Sequence, residues 1–344
     1  VTPDATRADE CRATGAASAS GAASASATAI TAQAGAKAPA ENFPVALRFL
    51  PRRYRGHLAA VYGFARSADD MGDEAAPRER LDLLDELEAD LNRLYRMVSR
   101  AGTAGSRGPS QGGPGSANEG PSGEGTGSGG TGYADADGGP PRFAVVRALA
   151  PAVVTCAIPT QPFHDLIAAN RQDQVVSRYP TYGDLLEYCR LSANPVGRIV
   201  LHIFGAATPE REALSDQVCT ALQLAEHWQD VAEDQRAGRI YLPQEDMDRF
   251  GCAERDLAAP SAAPKVRALI AFERQRARDL LDAGAPIVGT LRGAARAAVA
   301  GYVAGGRAAL AAIAASGHDV LRATPRPAKA RVAAELVRAY ATGR

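Results

Sequence analysis

Arg80-Leu-Asp-Leu-Leu-Asp-Glu-Leu-Glu-Ala-Asp-Leu-Asn-Arg-Leu-Tyr-Arg-Met-Val98 sets the fold class. Leu81, Leu84, Leu87, Leu91, Leu94 and Val98 recur at three- and four-residue steps, the period of one helical face. The other face carries Asp82, Asp85, Glu86, Glu88, Asp90 and Arg93 and reads as solvated. The same period predicts helices over 57–73, 143–154, 160–172, 181–204, 208–236, 263–284, 286–315 and 327–342. Alternating β-branched runs between regularly spaced turns are missing. The expected architecture is all-α, a single-domain helical bundle.

Two stretches lack this pattern. Residues 1–40 contain 16 Ala and read as a disordered Ala/Ser-rich tail. Residues 101–141 hold 15 of the 34 Gly and read as a disordered Gly/Ser-rich insertion within a domain spanning 41–344. About 263 residues remain, enough for one large core. Lys+Arg and Asp+Glu are both 39, so no broad basic field exists to hold nucleic acid. Five cysteines without a C-x-x-C pair argue against a zinc site or a disulfide framework and for reduced thiols. Asp4, Asp9 and Glu10 stand where a secretory signal would be basic. Arg292, Arg296 and Arg307 interrupt the most apolar region, 286–313, so no bilayer span is expected. The expected location is cytoplasmic, with peripheral contact at a membrane surface as the one lipid-facing option.

Two acidic segments carry the chemistry. In Phe64-Ala-Arg-Ser-Ala-Asp-Asp-Met-Gly-Asp-Glu74, Asp69 and Asp73 lie four apart on a helix, and Asp70 and Asp73 three apart. Like charges at that spacing repel, so a compensating hard cation such as Mg²⁺ is the functional reading and a solvated helix end the plain one. In Gln223-Leu-Ala-Glu-His-Trp-Gln-Asp-Val-Ala-Glu-Asp234, Glu226, Asp230 and Asp234 fall at i, i+4 and i+8. Arg236 and Arg239 follow and could clamp a diphosphate. EF-hand and P-loop patterns are absent. The five histidines show no metal spacing. His227 points about 100° away from Glu226 and stays outside the metal set. Trp228 reads as core. Asn194-Pro195 breaks the helical pattern, either as a plain kink or as an opening that offers the Asn194 amide.

With these motifs in order, the sequence resembles the squalene/phytoene synthase family. The resemblance rests on Asn42-Phe-Pro-Val-Ala46, Ala65–Asp70 with Asp73-Glu74, Tyr188-Cys-Arg-Leu-Ser-Ala-Asn-Pro-Val-Gly-Arg198, Gln223–Asp234 and Gly238-Arg-Ile-Tyr-Leu-Pro243. It covers about 41–100 and 142–327, and within the family it is most like the bacterial hydroxysqualene synthase branch. The resemblance implies an isoprenoid synthase bundle around a central cavity, with two Asp-rich motifs holding a diphosphate through Mg²⁺. Carried over residue by residue, Asp69 and Asp73 match one metal-binding pair, and Asp230 and Asp234 the other. Arg66, Arg239 and Tyr241 match positions near the diphosphate, and Phe43 and Tyr62 match cavity-lining aromatics. Arg236 and Asn194 join the expected substrate-binding set, and Asp173 stands as a further diphosphate-side candidate. The family's second motif begins with Asn, whereas this chain has Glu226; it remains an oxygen ligand with one more charge and one more methylene.

The implied reaction converts presqualene diphosphate and water to hydroxysqualene and diphosphate without NADPH. Ionisation of the C–O bond needs charge neutralisation at the leaving group, and faces such as Phe43, Tyr62 and Phe64 could stabilise the cation. The implied neighbours are a synthase supplying presqualene diphosphate and a flavoenzyme reducing hydroxysqualene for hopanoid synthesis. Two rivals stay open: head-to-head condensation of two prenyl diphosphates to phytoene, dehydrosqualene or squalene, and a non-catalytic helical prenyl-diphosphate-binding protein.

Overall fold

The computed structural model describes residues 50–105 and 139–344. The expected tail, most of the expected insertion, and Phe43 lie outside these residues. Among the described residues the chain forms fourteen helices and no strand. They are α1 (Arg52–Asp73), α2 (Arg80–Gly105), α3 (Ala144–Cys156), α4 (Gln161–Gln172), α5 (Tyr182–Ser192), α6 (Asn194–Ile203) and α7 (Pro209–Gln229). Then follow α8 (Val231–Arg236), α9 (Gln244–Arg249), α10 (Glu254–Leu257), α11 (Pro264–Gly284), α12 (Ile287–Thr290), α13 (Gly293–Ala315) and α14 (Lys329–Thr342).

Local chemistry explains the boundaries. Pro51 precedes α1. Thr181 and Asp184 form a reciprocal capping box at α5, and Thr208 caps α7 ahead of Pro209. Three of the expected long helices are interrupted. The 181–204 helix breaks at Ala193, because Pro195 lacks an N–H and its ring opposes the preceding turn. The 208–236 helix breaks at Asp230, whose φ of −104° and ψ of 15° leave the helical region. The 286–315 helix breaks at Leu291, which is extended, before Gly293 at φ +55°. The short α9 and α10 carry no apolar period long enough to announce them.

Apolar packing makes two cores. One unites α1, α2 and α3 with Phe163, Leu166 and Ile167 of α4; the other gathers α5, α7, α11 and α13 around Trp228. α6 lies between them, giving Ile199, Val200 and Ile203 to the first and Leu201 to the second. Phe64 is fully buried in the first core, edge-on to Phe163 at 5.1 Å, so it is a packing residue and not a cavity aromatic. Close approaches are set by glycine: a Cβ at Gly284 would lie 2.6 Å from the Leu214 carbonyl oxygen, so α11 meets α7 only without a side chain there. α13 is long and apolar enough to cross a membrane by length and composition, but half of its apolar window is buried in the protein.

The acidic face of α2 is not simply solvated. Asp90 is fully buried and accepts from the backbone N–H of Arg142 (2.7 Å) and Phe143 (2.8 Å) and from Arg93 (3.0 Å). It thereby fixes the start of α3. Arg171 of α4 bonds both Asp85 (2.5 Å) and Glu88 (2.7 Å). In the second core, Glu273 is fully buried beside Asp246, and Arg276 lies 2.5 Å from Asp246 and 3.4 Å from Glu273. Burial, reinforced by the Asp246 carboxyl, pushes Glu273 up to about 8.

Two outcomes follow. Asp90→Ala leaves the buried Phe143 N–H unpaired and frees the part-buried Arg142 N–H, and should cost about 2 kcal/mol in urea unfolding. Glu273 binds its proton more tightly folded than unfolded, where its ordinary value is 4.5. Its contribution is therefore fully present below about 4.5 and is lost as pH rises towards about 8. Glu273→Gln should flatten the fall in Tm across that window; an unchanged slope would assign the pH dependence elsewhere.

Candidate active site

α1 presents Tyr62, Arg66, Asp69 and Asp73 at steps of four, three and four, one continuous stripe. Asp70 lies at the inner margin of this stripe, buried and 2.8 Å from Arg66, which also approaches Glu74 at 3.5 Å. Arg66 thus neutralises charge within its own motif, leaving Asp69 and Asp73 on the open side. Asn170 of α4 donates Nδ2 to Asp69 Oδ1 at 3.0 Å. Gly72 allows this approach, since a Cβ there would lie 2.8 Å from Asn170 Oδ1. The Asp69 side chain is open towards the cleft but walled by protein. That dehydration, with Asp73 adding repulsion, raises it to about 6 despite the Asn170 bond.

The second acidic segment forms the opposite wall. The break at Asp230 means that Glu226, Asp230 and Asp234 do not share one straight face, as the sequence period implied. The four-residue steps survive, however: Asp230 N–H donates to Glu226 O (3.0 Å) and Asp234 N–H to Asp230 O (2.9 Å). Dehydration raises Asp230, and with Asp230 beside it lifts Asp234 to about 7. Glu226 is exposed on the last turn of α7.

Arg239 lies between the walls. Gly238, at φ +85°, turns the chain after α8. A parallel bridge between Arg178 and Ile240 then lays the segment beside the loop after α4, with Ile240 N–H on Ser177 O at 3.0 Å. Arg239 reaches Asp73 at 2.5 Å. Burial opposes its charge, but the bond to Asp73 outweighs that and raises its pKa. Asp173, at the end of α4, accepts from Tyr188 at 2.9 Å, and dehydration lifts it to about 6. Tyr241 stacks on His227 at 3.7 Å and 13° and sits 5.7 Å from both Tyr179 and Tyr188. Burial drives His227 down to about 3, so it is neutral and acts as an aromatic wall.

An apolar cavity of about 80 Å³ lies between α6, α7, α12 and α13, one turn along α7 from Glu226. Val196, Val200, Val218, Leu222 and Val299 line it, with Tyr302. Leu222 lies one turn before Glu226, and Asn194 opens α6 just ahead of Val196. Asn194 Oδ1 accepts from Thr220 at 2.9 Å, tying α6 to α7. Arg236 is exposed at the end of α8, away from any bonding partner among the described residues. Tyr62 is half-buried on α1.

The donor set suits a hard divalent cation: carboxylate oxygens from both walls, of which Asp69, Asp230 and Asp234 are raised in pKa by dehydration, with Arg239 beside them. The ligands are not gathered in advance. Among the described residues no three His, Cys, Asp or Glu side chains converge closely enough to hold an ion.

An all-α fold with two opposed acidic segments, an arginine between them and an apolar cavity one helical turn away defines a helical synthase-type site. The chain belongs to the squalene/phytoene synthase family, whose model matches residues 36–333. It is 30% identical over 255 residues to a hydroxysqualene synthase from Sinorhizobium fredii, covering 73% of this chain and 72% of that one. It is 28% identical over 256 residues to a phytoene synthase from Mycobacterium tuberculosis, covering 73% and 70%. The crystal structure of squalene synthase HpnC from Alicyclobacillus acidocaldarius matches with a TM-score of 0.66 and 36% identity, over 86% of this chain and 95% of that one.

Asn170, Tyr188 and Gly72 were not given roles by the sequence. A polar Asn within the apolar stripe of α4 was the available signal for Asn170; Tyr188 and Gly72 show their part only once α4 packs on α1 and α5. Arg239→Ala should lower kcat/KM on a prenyl diphosphate by about 10²-fold, since it removes a positioned charge. Its half-exposed ion pair should cost less than about 1 kcal/mol in stability. Steady-state kinetics and thermal unfolding read the two effects separately.

Proposed function

We propose that this enzyme is a Mg²⁺-dependent hydroxysqualene synthase. It converts presqualene diphosphate and water to hydroxysqualene and diphosphate, a step towards squalene and hopanoids. The observation that carries this reading is the pairing of Asp69/Asp73 with Asp230/Asp234 across Arg239, with an apolar cavity one turn away along α7. The names of the relatives at 30% identity support the same chemistry.

Asp69, Asp73, Glu226, Asp230 and Asp234 would hold Mg²⁺. Bound there, Mg²⁺ neutralises charge on the diphosphate as the C–O bond ionises. Arg239 and Arg66 orient the diphosphate through guanidinium forks, Arg239 exchanging the Asp73 carboxylate for phosphate oxygen. Tyr241, held by its stack on His227, shapes the diphosphate side of the cleft. Tyr62 continues the α1 stripe and offers a ring face to the cation. The aliphatic lining around Val196, Val218 and Val299 gives bulk water no polar partner and keeps the cation dry during rearrangement. At about 80 Å³ the cavity is narrower than the ~300 Å³ of a usual ligand pocket, so it opens as the chain enters. We assign the Asn194 amide, oriented by the bond that its Oδ1 accepts from Thr220, to hold the capturing water through Nδ2.

Incubation with Mg²⁺ and presqualene, farnesyl or geranylgeranyl diphosphate in turn, followed by mass spectrometry, tests the reading. Hydroxysqualene should form from presqualene diphosphate without NADPH. Phytoene or dehydrosqualene as the sole product would replace this reading with head-to-head condensation, which the phytoene synthase relative represents. Turnover of none of them would favour a binding protein. Glu226→Asn removes one anionic ligand and should raise the Mg²⁺ concentration for half-maximal activity about threefold to tenfold; an unchanged titration would exclude Glu226 from the metal set.

A further inference from the structure

α14 is inverted for a surface helix. Its inward side is set by Ala339, fully buried against the protein. At about 100° per residue, Ala333, Val337, Tyr340 and Ala341 fall on the outward arc, where polar residues normally stand, and Leu336 lies about 60° from Ala339 at its inner margin. Leu336 is 37% exposed, Val337 69% and Tyr340 46%. Of the other large exposed apolar side chains, Leu81 and Met97 lie at opposite ends of α2, and Val154 and Val175 sit on separate elements, whereas Val337 and Tyr340 are one turn apart on one arc.

The C-terminal sixty residues are basic, although Arg307 among them is paired with Asp282 at 2.8 Å. Residues 285–344 contain nine basic and two acidic residues within a chain of zero net charge. Both acids are engaged: Asp319 bonds Ser261, the Ala262 N–H and Arg267, and Glu335 lies 3.9 Å from Arg338 on the shielded side of α14. Arg331 and Arg338 flank the arc, and Arg296 stacks 5.0 Å over the Tyr340 ring.

We infer that the outward face of α14 docks on an anionic lipid surface, with its apolar arc in the acyl boundary and its arginines on the headgroups. A helix with an aliphatic arc, a tyrosine at its margin and a basic rim has the build of an interfacial helix. A second copy of this chain suits the face poorly. A two-fold contact would set each basic rim against its like, whereas anionic headgroups neutralise both rim and arc.

Position relates the face to the site. α14 packs outside α12 and α13, whose inner residues Ile287, Val299 and Tyr302 line the apolar cavity. The segment leading into α14 touches the second acidic wall: Thr324 bonds Glu233 at 3.2 Å, and Gln229 donates to the Pro325 carbonyl. Docking would therefore hold the cavity one helix layer from the bilayer. The biological motive rests on the proposed apolar product, but lipid binding itself does not.

The test is co-sedimentation of the full chain with phosphatidylcholine vesicles, with and without about one-third phosphatidylglycerol. The chain should bind the anionic vesicles, and binding should weaken about tenfold between ~0.1 and ~0.5 M salt. Val337→Glu with Ala341→Glu should cut binding at least about tenfold without moving the unfolding temperature, since both side chains are exposed. Absence of binding to anionic vesicles, or binding that ignores the double variant, would overturn the inference. So would a variant that turns a dimer into monomers in sedimentation velocity while vesicle binding persists. Turnover of dispersed substrate without vesicle binding would overturn this inference alone; vesicle binding without turnover of any diphosphate would overturn only the functional reading.

Discussion

Dehydrated like charge governs this molecule. Asp69, Asp173 and Asp234 all have raised pKa values because protein has displaced water around them, and Arg239 is a cation placed between the walls, paired with Asp73. Two apolar cores hold the walls in place, and the carboxylates ride on their margins. Neutral protein interactions relieve some of the repulsion. Asn170 steadies Asp69, Tyr188 steadies Asp173, and Arg66 removes Asp70 from the contest. Asp69 and Asp234 keep raised pKa values all the same, and a cationic ligand with an anionic substrate is the chemistry that would relieve them.

The break at Asp230 gives this arrangement room to respond. Glu226 belongs to α7, and Asp234 to α8, with Asp230 as the joint between them. A rigid helix would fix three carboxylates along one line. A jointed one lets them turn inward separately, while the surviving backbone bonds keep their spacing. Arg239, tied to Asp73, lies in the gap that such a movement would close.

Much of this was legible in the sequence. Helical periods announced the all-α class, and the four-residue spacing of Asp69/Asp73 and Asp230/Asp234 singled out the two acidic walls. What stayed hidden was tertiary. The Leu period of α2 was plain, but Asp90 looked like its solvated neighbours, because its partners at Arg142 and Phe143 lie across an insertion of unrelated composition. Phe64 looked like a cavity aromatic until Phe163 met it edge-on. The breaks at Asp230 and Leu291 followed no proline and no strong turn signal, so a continuous apolar period concealed them. Asn170 and Gly72 matter only as a pair from two helices, and no local pattern joins them.

The Asp90 carboxylate also bears on how this lineage could change its length. It grips the chain at Arg142 and Phe143, so α3 starts at the same place whatever joins it to α2. Each doubling of a flexible connection adds only about 0.6 kcal/mol of closure entropy. Added residues between these anchors would thus cost the fold little. The same point makes the connection a natural place to splice in a foreign module, with Asp90 serving as the knot that keeps the graft from loosening the core.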